Sequence, residues 1–399
     1  MQKALAGIRV LDFSISMAGA WCSRLLADFG ADVVMVEPLR GHPLRQLAPF
    51  ASDGAGIPAL YVQANKRSVA IELDQPDGRA VLGDLAAASD VVVESTVPGT
   101  LAEWGLEFEA LEERRPGVIL VSITPHGQDG RRARFPGNDL TAYARSGWAH
   151  VNGRADREPI KGSGFTASYT AGIAAYGAVL TALCHREMHG VGQQVDVAEA
   201  EALGEIFGRS MLRAQYENAV PGRNAEQRMS ATFPGRVKDG YLTFRPAAGR
   251  RLRETRVALG LADLTADLPA LPGPQDPRQP LPDEMISQIL ARVAELTKLE
   301  VFEALGAIHV SSGPVFAMDE LARDEHLRDR GFYVRAGSDS DAPEHPGAPF
   351  KMSATPWALE RAAPAAGEHT AEVLREFAGY GQQQIASLEQ SGIAAGVAS

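Results

Sequence analysis

The chain has 399 residues, 45% hydrophobic and 22% charged, with 40 Gly and 25 Pro. That is ample for a buried core, and at roughly 150 residues per domain it suggests two or three domains. A net charge of −11 argues against a nucleic-acid or anionic-membrane partner, and two cysteines, Cys22 and Cys184, allow neither a disulfide framework nor a zinc cluster.

In chain order, the opening MQKALAGIRVLDF passes straight into a strand pattern with no cleavable signal. No run reaches ~18 uninterrupted apolar residues, so a membrane-spanning helix is not expected. Ile8 to Phe13 reads as a buried strand, followed by a small-residue turn from Ser14 to Gly19. A helix then carries Trp21, Leu25, Leu26 and Phe29 at helical spacing. Gly30 stops it, and Val33 to Glu37 is a second strand, so a right-handed β-α-β unit opens the chain. Further strands fall at Val69 to Leu73, Val91 to Glu94 and Val118 to Ile123, with helices between them. The pattern predicts an open, Rossmann-like parallel sheet.

Glu37 ends the second strand where a ribose-binding acid would sit in a dinucleotide fold. The first turn, however, lacks G-x-G-x-x-G, and without those glycines a pyrophosphate cannot approach the helix start. A long helix rich in Ala and Gly is expected from Thr166 to about Arg186. A strand from Gln194 to Val197 and a helix starting near Ala198 follow. The chain turns polar and irregular from Val220 to Ser230, and six prolines between Leu264 and Pro282 mark a loop. Strand and loop return after about Gly331, and two short helices, Thr370 to Phe377 and Gln382 to Ser391, come last.

Chemistry-bearing residues are few. His126 follows a strand, where a parallel sheet has its ligand crevice, but an exposed turn histidine reads the same way. Asp139 opens a helix from Leu140 to Gly147 and is most simply its N-cap. Arg131, Arg132 and Arg134 suit phosphates or a solvated loop equally, as do Lys66 and Arg67. His185, Arg186 and His189 complement a helix dipole. There is no metal-ligand spacing, P-loop or G-x-S-x-G elbow. Composition and pattern therefore stop at a soluble, cytoplasmic α/β protein.

Together the motifs resemble the family III CoA-transferases, the group of formyl-CoA transferase, carnitine CoA-transferase and α-methylacyl-CoA racemase. Carrying the resemblance are Ala4 to Phe13, Leu25 to Val33, Asn65 to Ser68, Pro98-Gly99, Gly127 to Gly130 and Asn138 to Leu140. His185 to Glu187, Gly190 to Val197, Arg330 to Phe332, Pro346 to Phe350, His369-Thr370 and Gly379-Tyr380 complete it. Each motif is weak alone; in this order they are specific. The resemblance implies a large Rossmann-like domain built from residues 1–222 and 331–399, and a smaller α/β domain over 223–330. It also implies an interlocked dimer, each chain threaded through the other. CoA or acyl-CoA would be a substrate, with no permanently bound cofactor and no metal.

In such an enzyme an aspartate attacks the acyl-CoA thioester and CoA passes between carboxylic acids through a mixed anhydride and an enzyme-CoA thioester. The position matching that aspartate is Ser168, with no acid between Pro159 and Arg186. Serine cannot form a mixed anhydride, and no base for its hydroxyl is apparent nearby in sequence. Asn138 occupies the place of the racemase histidine, so racemisation loses both its groups. By the same matching, CoA would meet Met17, Ala18, Arg40, Lys66, Arg67, Glu72, Leu73, Ser95, Thr96, Val97, Asn138 and Asp139. Ser95-Thr96-Val97 replaces the family's Asn-Phe-Arg, and Asp74 and Glu103 stand where a lysine and an arginine are expected. Repulsion in place of attraction costs on the order of a kcal/mol per site, which leaves Arg40, Lys66 and Arg67 as phosphate partners.

The resemblance thus implies the nucleophile-lacking subunit of a heteromeric transferase, of the succinate:(R)-benzylsuccinate kind, whose partner is an aspartate-bearing homologue. A self-dimer with displaced chemistry on Asp139 or Glu158, or a non-catalytic acyl-CoA binding protein, are the alternatives. The segment Phe233 to Arg251 matches only loosely, though Arg245, Arg250 and Arg251 could serve a dicarboxylate.

Overall fold

The computed structural model describes residues 3–206, 208–220, 222–223, 234–244, 250–261, 283–337, 340 and 342–396. The chain forms two compact units. One comprises Met1–Asn152, Pro159–Val220 and Asp329–Ser399; the other comprises Gly153–Glu158 and Pro221–Arg328.

The first unit is built on seven strands: β1 (Arg9–Asp12), β2 (Asp32–Glu37), β3 (Arg67–Ile71), β4 (Val91–Glu94), β5 (Ile119–Thr124), β6 (Gln193–Ala198) and a final pair of residues, Ala394–Ala395. Their order across the sheet is Ala394–Ala395, β3, β2, β1, β4, β5, β6. All pairings are parallel except that of Ala394–Ala395, which runs antiparallel to β3. Strands covered on both faces need apolar side chains at every position rather than at alternate ones. Val33 to Val36, Val91 to Val93 and Ile119 to Val121 satisfy this and are buried. The order reverses between β1 and β4, so the crevice at the carboxyl ends of those two strands is the topological switch point.

Nine helices of this unit matter below: α1 (Met17–Asp28), α2 (Ile57–Val62), α3 (Pro76–Ala87), α4 (Thr100–Trp104), α5 (Phe108–Arg114), α6 (Asp139–Arg145), α7 (Trp148–Val151), α8 (Thr166–His189) and α9 (Glu199–Glu205). The α1 helix starts because Ser16 Oγ accepts from the Gly19 N–H at 3.1 Å. One core lies under α3 and α5 with the helix Thr370–Glu376; the opposite face is covered by α1 and α8.

By length and average composition α8 is apolar enough to cross a membrane, although it contains no uninterrupted apolar run of that length. It instead packs a face of small residues, Ala171, Gly172, Ala175, Val179 and Ala182, against α1 and the sheet. A Cβ at Gly172 would sit 2.7 Å from the Ala18 carbonyl oxygen and 3.0 Å from the Trp21 ring, so the helices touch backbone to backbone.

The second unit has an antiparallel sheet of Pro234–Val237, Gly240–Phe244 and Ser312–Val315. Its core combines Leu242 and Phe244 with Ile289, Val293, Val301 and Leu305 from the helices Asp283–Val293 and Lys298–Ala307. The proline-rich stretch 264–282, most of the boundary 220–230 and Arg245 lie outside the described residues.

Candidate active site

Three helices begin close together behind the carboxyl ends of β5 and β6, and each brings one reactive side chain from its first turn: Asp139 on α6, Ser168 on α8 and Glu199 on α9. They converge because Ala142, Tyr143, Ala167 and Leu203 form a shared apolar cluster beneath them. Trp148 on α7 adds a bond from its indole Nε1 to the Leu203 carbonyl at 2.9 Å.

Asp139 is not the cap of its own helix. Asn138 is, with its Oδ1 accepting from the Thr141 N–H at 3.1 Å and its own N–H donating to Thr141 Oγ1 at 2.8 Å. Asp139 instead caps α8, whose own N-cap residue, Phe165, has no acceptor to offer: Oδ1 accepts from the Ser168 N–H at 2.9 Å. The other oxygen, Oδ2, lies 2.7 Å from Lys161 Nζ.

The Ser168 side chain points the other way, its Oγ donating to Glu199 Oε2 at 3.2 Å. Ser168 and Glu199 are each 3% exposed and Asp139 is 7% exposed. Burial, with the negative charge of Asp139 adding to it, pushes the Glu199 carboxyl up to about 7 against the pull of the Ser168 hydroxyl. Sequence reasoning finds no base for Ser168; the structure supplies Glu199, 31 residues downstream. Glu158 is exposed and belongs to the second unit.

The residues expected around CoA separate into several groups. Arg40, Glu72 and Leu73 come together with Pro38, Leu39, Ile71 and Asp74 around a cavity of about 240 Å³. Ser95, Thr96 and Val97 leave β4 at the switch point. There Ser95 Oγ accepts from the Ile15 N–H at 2.9 Å, Thr96 Oγ1 donates to Glu94 at 2.6 Å, and Val97 is exposed. Met17 and Ala18 face inward, packed into separate cores, and offer a ligand no side-chain surface.

Lys66 and Arg67 are removed as phosphate partners. Lys66 is 0% exposed, its ammonium bound to Asp12 Oδ2 (3.1 Å), Ser23 Oγ (2.7 Å) and the Ala20 carbonyl (2.9 Å). Arg67 lies at the opposite, amino end of β3, clamped by Asp32, Glu372 and Glu376 beside a separate polar cavity of about 380 Å³. Arg134, read from the sequence as suiting phosphates or a solvated loop equally, reaches the switch point: its Nε donates to the Pro98 carbonyl at 3.0 Å and its guanidinium lies over Gly99. Arg186 pairs with Asp90 at 3.1 Å and is structural. Among the described residues no cluster of three or more metal-ligating side chains occurs.

The fold is an open α/β sheet with its crevice at a strand-order reversal, and beside it Asp139, Ser168 and Glu199 are buried together at three helix starts. The model of CoA-transferase family III matches residues 5–370. The chain is 31% identical to the succinyl-CoA–L-malate CoA-transferase beta subunit of Chloroflexus aurantiacus, over 96% of both chains. It is 30% identical to the succinate–glutarate CoA-transferase of Agrobacterium fabrum, over 94% of this chain and 95% of that one. It is also 30% identical to the succinyl-CoA:(R)-benzylsuccinate CoA-transferase subunit BbsE of Thauera aromatica, over 98% of each. A CAIB/BAIF family protein from Brucella suis shares the fold, with a TM-score of 0.82, 24% identity and coverage of 94% of this chain and 100% of that one. The chain belongs to CoA-transferase family III, enzymes that use CoA thioesters as substrates.

Proposed function

We propose that this chain is the subunit without a carboxylate nucleophile in a heteromeric, cytoplasmic family III CoA-transferase, and that a homologous subunit supplies the aspartate. What carries the reading is Ser168, which the resemblance matches to that aspartate: a hydroxyl there cannot form the mixed anhydride on which transfer depends. The similarity to subunits named as alpha, beta and BbsE supports a heteromer. Relatives named for succinyl-CoA or succinate support a short dicarboxylate thioester as donor. The first unit also exposes Ile206, Met211, Leu212, Tyr216 and Val220, an apolar surface suited to a second family III chain.

In this reading Arg40 holds one CoA phosphate at the rim of the 240 Å³ cavity, where Glu72 and Asp74 bring opposing charge, and Arg134 holds another beside Pro98. Charge-assisted hydrogen bonds contribute about 1.5–3 kcal/mol each. Arg134→Ala is therefore expected to weaken CoA binding by tenfold or more, on the order of 1.4 kcal/mol per tenfold, as read by calorimetry on the purified assembly.

The deciding experiment is to tag the chain in its native host and identify co-purifying proteins by native mass spectrometry. A near-equimolar aspartate-bearing homologue is expected. The pair should transfer CoA from succinyl-CoA to a dicarboxylate, and this chain alone should not. A pure self-dimer with full transferase activity would overturn the assignment.

A further inference from the structure

We infer that Ser168 and Glu199 form a nucleophile–base pair that hydrolyses acyl-CoA thioesters, a reaction this chain performs with water and without the aspartate of a partner. The inference rests on the reading above only in that Ser168 stands where the thioester is presented. The Ser168 Oγ donates to Glu199 Oε2 at 3.2 Å, within reach of a direct proton transfer. The pair is 3% exposed at both residues and so is shielded from bulk water that would compete for the carboxylate.

A purely structural role explains Glu199 poorly. Among the described residues its hydrogen-bond partner is the Ser168 hydroxyl, and no cation is paired with it, because Lys161 is taken by Asp139. A buried carboxylate without a counter-ion costs several kcal/mol, and an apolar residue would pack the same corner at no such cost. Asp139 adds positioning: by accepting from the Ser168 N–H it fixes the first turn of α8, from which the hydroxyl reaches Glu199. The carboxyl of Glu199, pushed up to about 7, is partly ionised at neutral pH, the range in which a general base is most effective.

The chemistry balances without a redox partner. Ser168 Oγ bonds to the thioester carbonyl carbon as its proton passes to Glu199. The C–S bond breaks, and CoA leaves as the thiol with that proton. Water then adds to the seryl ester, giving a proton to Glu199, and the ester C–O bond breaks as Oγ takes the proton back. One acyl-CoA and one water become one free acid and one CoA thiol.

The test follows CoA thiol release from succinyl-CoA with a thiol-reactive chromophore, using the full chain purified alone and the assembly recovered from the host. Release above the buffer rate is expected. It should fall on the order of a hundredfold or more in Ser168→Ala and in Glu199→Gln. Acid-quenched wild-type protein should carry a succinyl ester mapped to Ser168, a readout that does not depend on any variant folding. Bound CoA with release at the buffer rate, or unchanged release in a folded Ser168→Ala, overturns the inference while leaving the heteromeric assignment intact. Hydrolysis at Ser168 together with recovery of the chain from its host as a pure self-dimer with full transferase activity overturns the assignment alone.

Discussion

Lys66 is a long basic side chain with no exposed surface; burial lowers its pKa, and Asp12, Ser23 and the Ala20 carbonyl take the place of its water. Removing one member of a buried pair strands the other, typically at about 3–5 kcal/mol. Lys66→Met should therefore lower unfolding stability by that order in a denaturant titration, while Lys66→Met combined with Asp12→Leu should recover much of it. Glu199 behaves in the opposite sense with pH. Its carboxyl is raised from an ordinary 4.5 to about 7, so the fold favours the protonated form, and that contribution is lost as pH rises across this window. Asp139 on α6 acts on it with the same sign, and Lys161 is committed to Asp139. Glu199→Gln should match the wild type at pH 4 and exceed it at pH 8 by on the order of 3 kcal/mol. Equal pH dependence of the two proteins in urea unfolding would contradict this. Position 168 is reached in the sequence only through the family resemblance, by counting back from His185-Arg186-Glu187 and Gly172. Glu199 is not, because an acid at a helix start reads as a dipole complement and nothing local ties it to a serine in another helix.

The strands are the most legible elements. Val91 to Glu94 is read with its observed bounds, and the others differ by one or two residues, since a strand buried on both faces announces itself as an unbroken apolar run. The α8 helix is read from Thr166 but continues three residues past Arg186 to His189, where Gly190 in a left-handed conformation, φ 73°, ends it. The pairing of Ala394–Ala395 with β3 was illegible, because two alanines carry no strand pattern and the register is set by Ile71 and Ala70 across from them. Contact between α1 and α8 rests on Gly172, and here a prediction belongs to the element. Gly172→Leu would drive a side chain into the Ala18 carbonyl and the Trp21 ring. Overpacking of this kind costs typically about 1–3 kcal/mol, so the thermal midpoint should fall, with the loss of near-ultraviolet signal from Trp21 reporting the site.

At the scale of the molecule, exposed apolar residues concentrate between Ile206 and Val220, with Tyr216 84% and Val220 75% exposed. A lone chain would leave this surface in water. Light scattering after size exclusion should give at least twice the 42.5 kDa of one chain, and a Leu212→Glu, Tyr216→Glu double variant should shift the mass toward a single chain. Persistence of the larger mass in that variant would place the contact elsewhere.

The edge of the main sheet has one more consequence, which concerns time. The outer side of β3 is satisfied by Ala394–Ala395 and by Thr370 Oγ1, which accepts from the Ala70 N–H at 3.2 Å, and just beyond the strand the Glu72 N–H donates to the Ile393 carbonyl at 2.8 Å. During translation β3 leaves the ribosome long before its neighbour does, with the whole of the segment 221–328 still to be made. A nascent chain therefore carries a bare, pairing-competent strand edge for most of its synthesis. That interval is when a chaperone or another strand can still engage the edge. Once residue 395 has docked, the opportunity is gone.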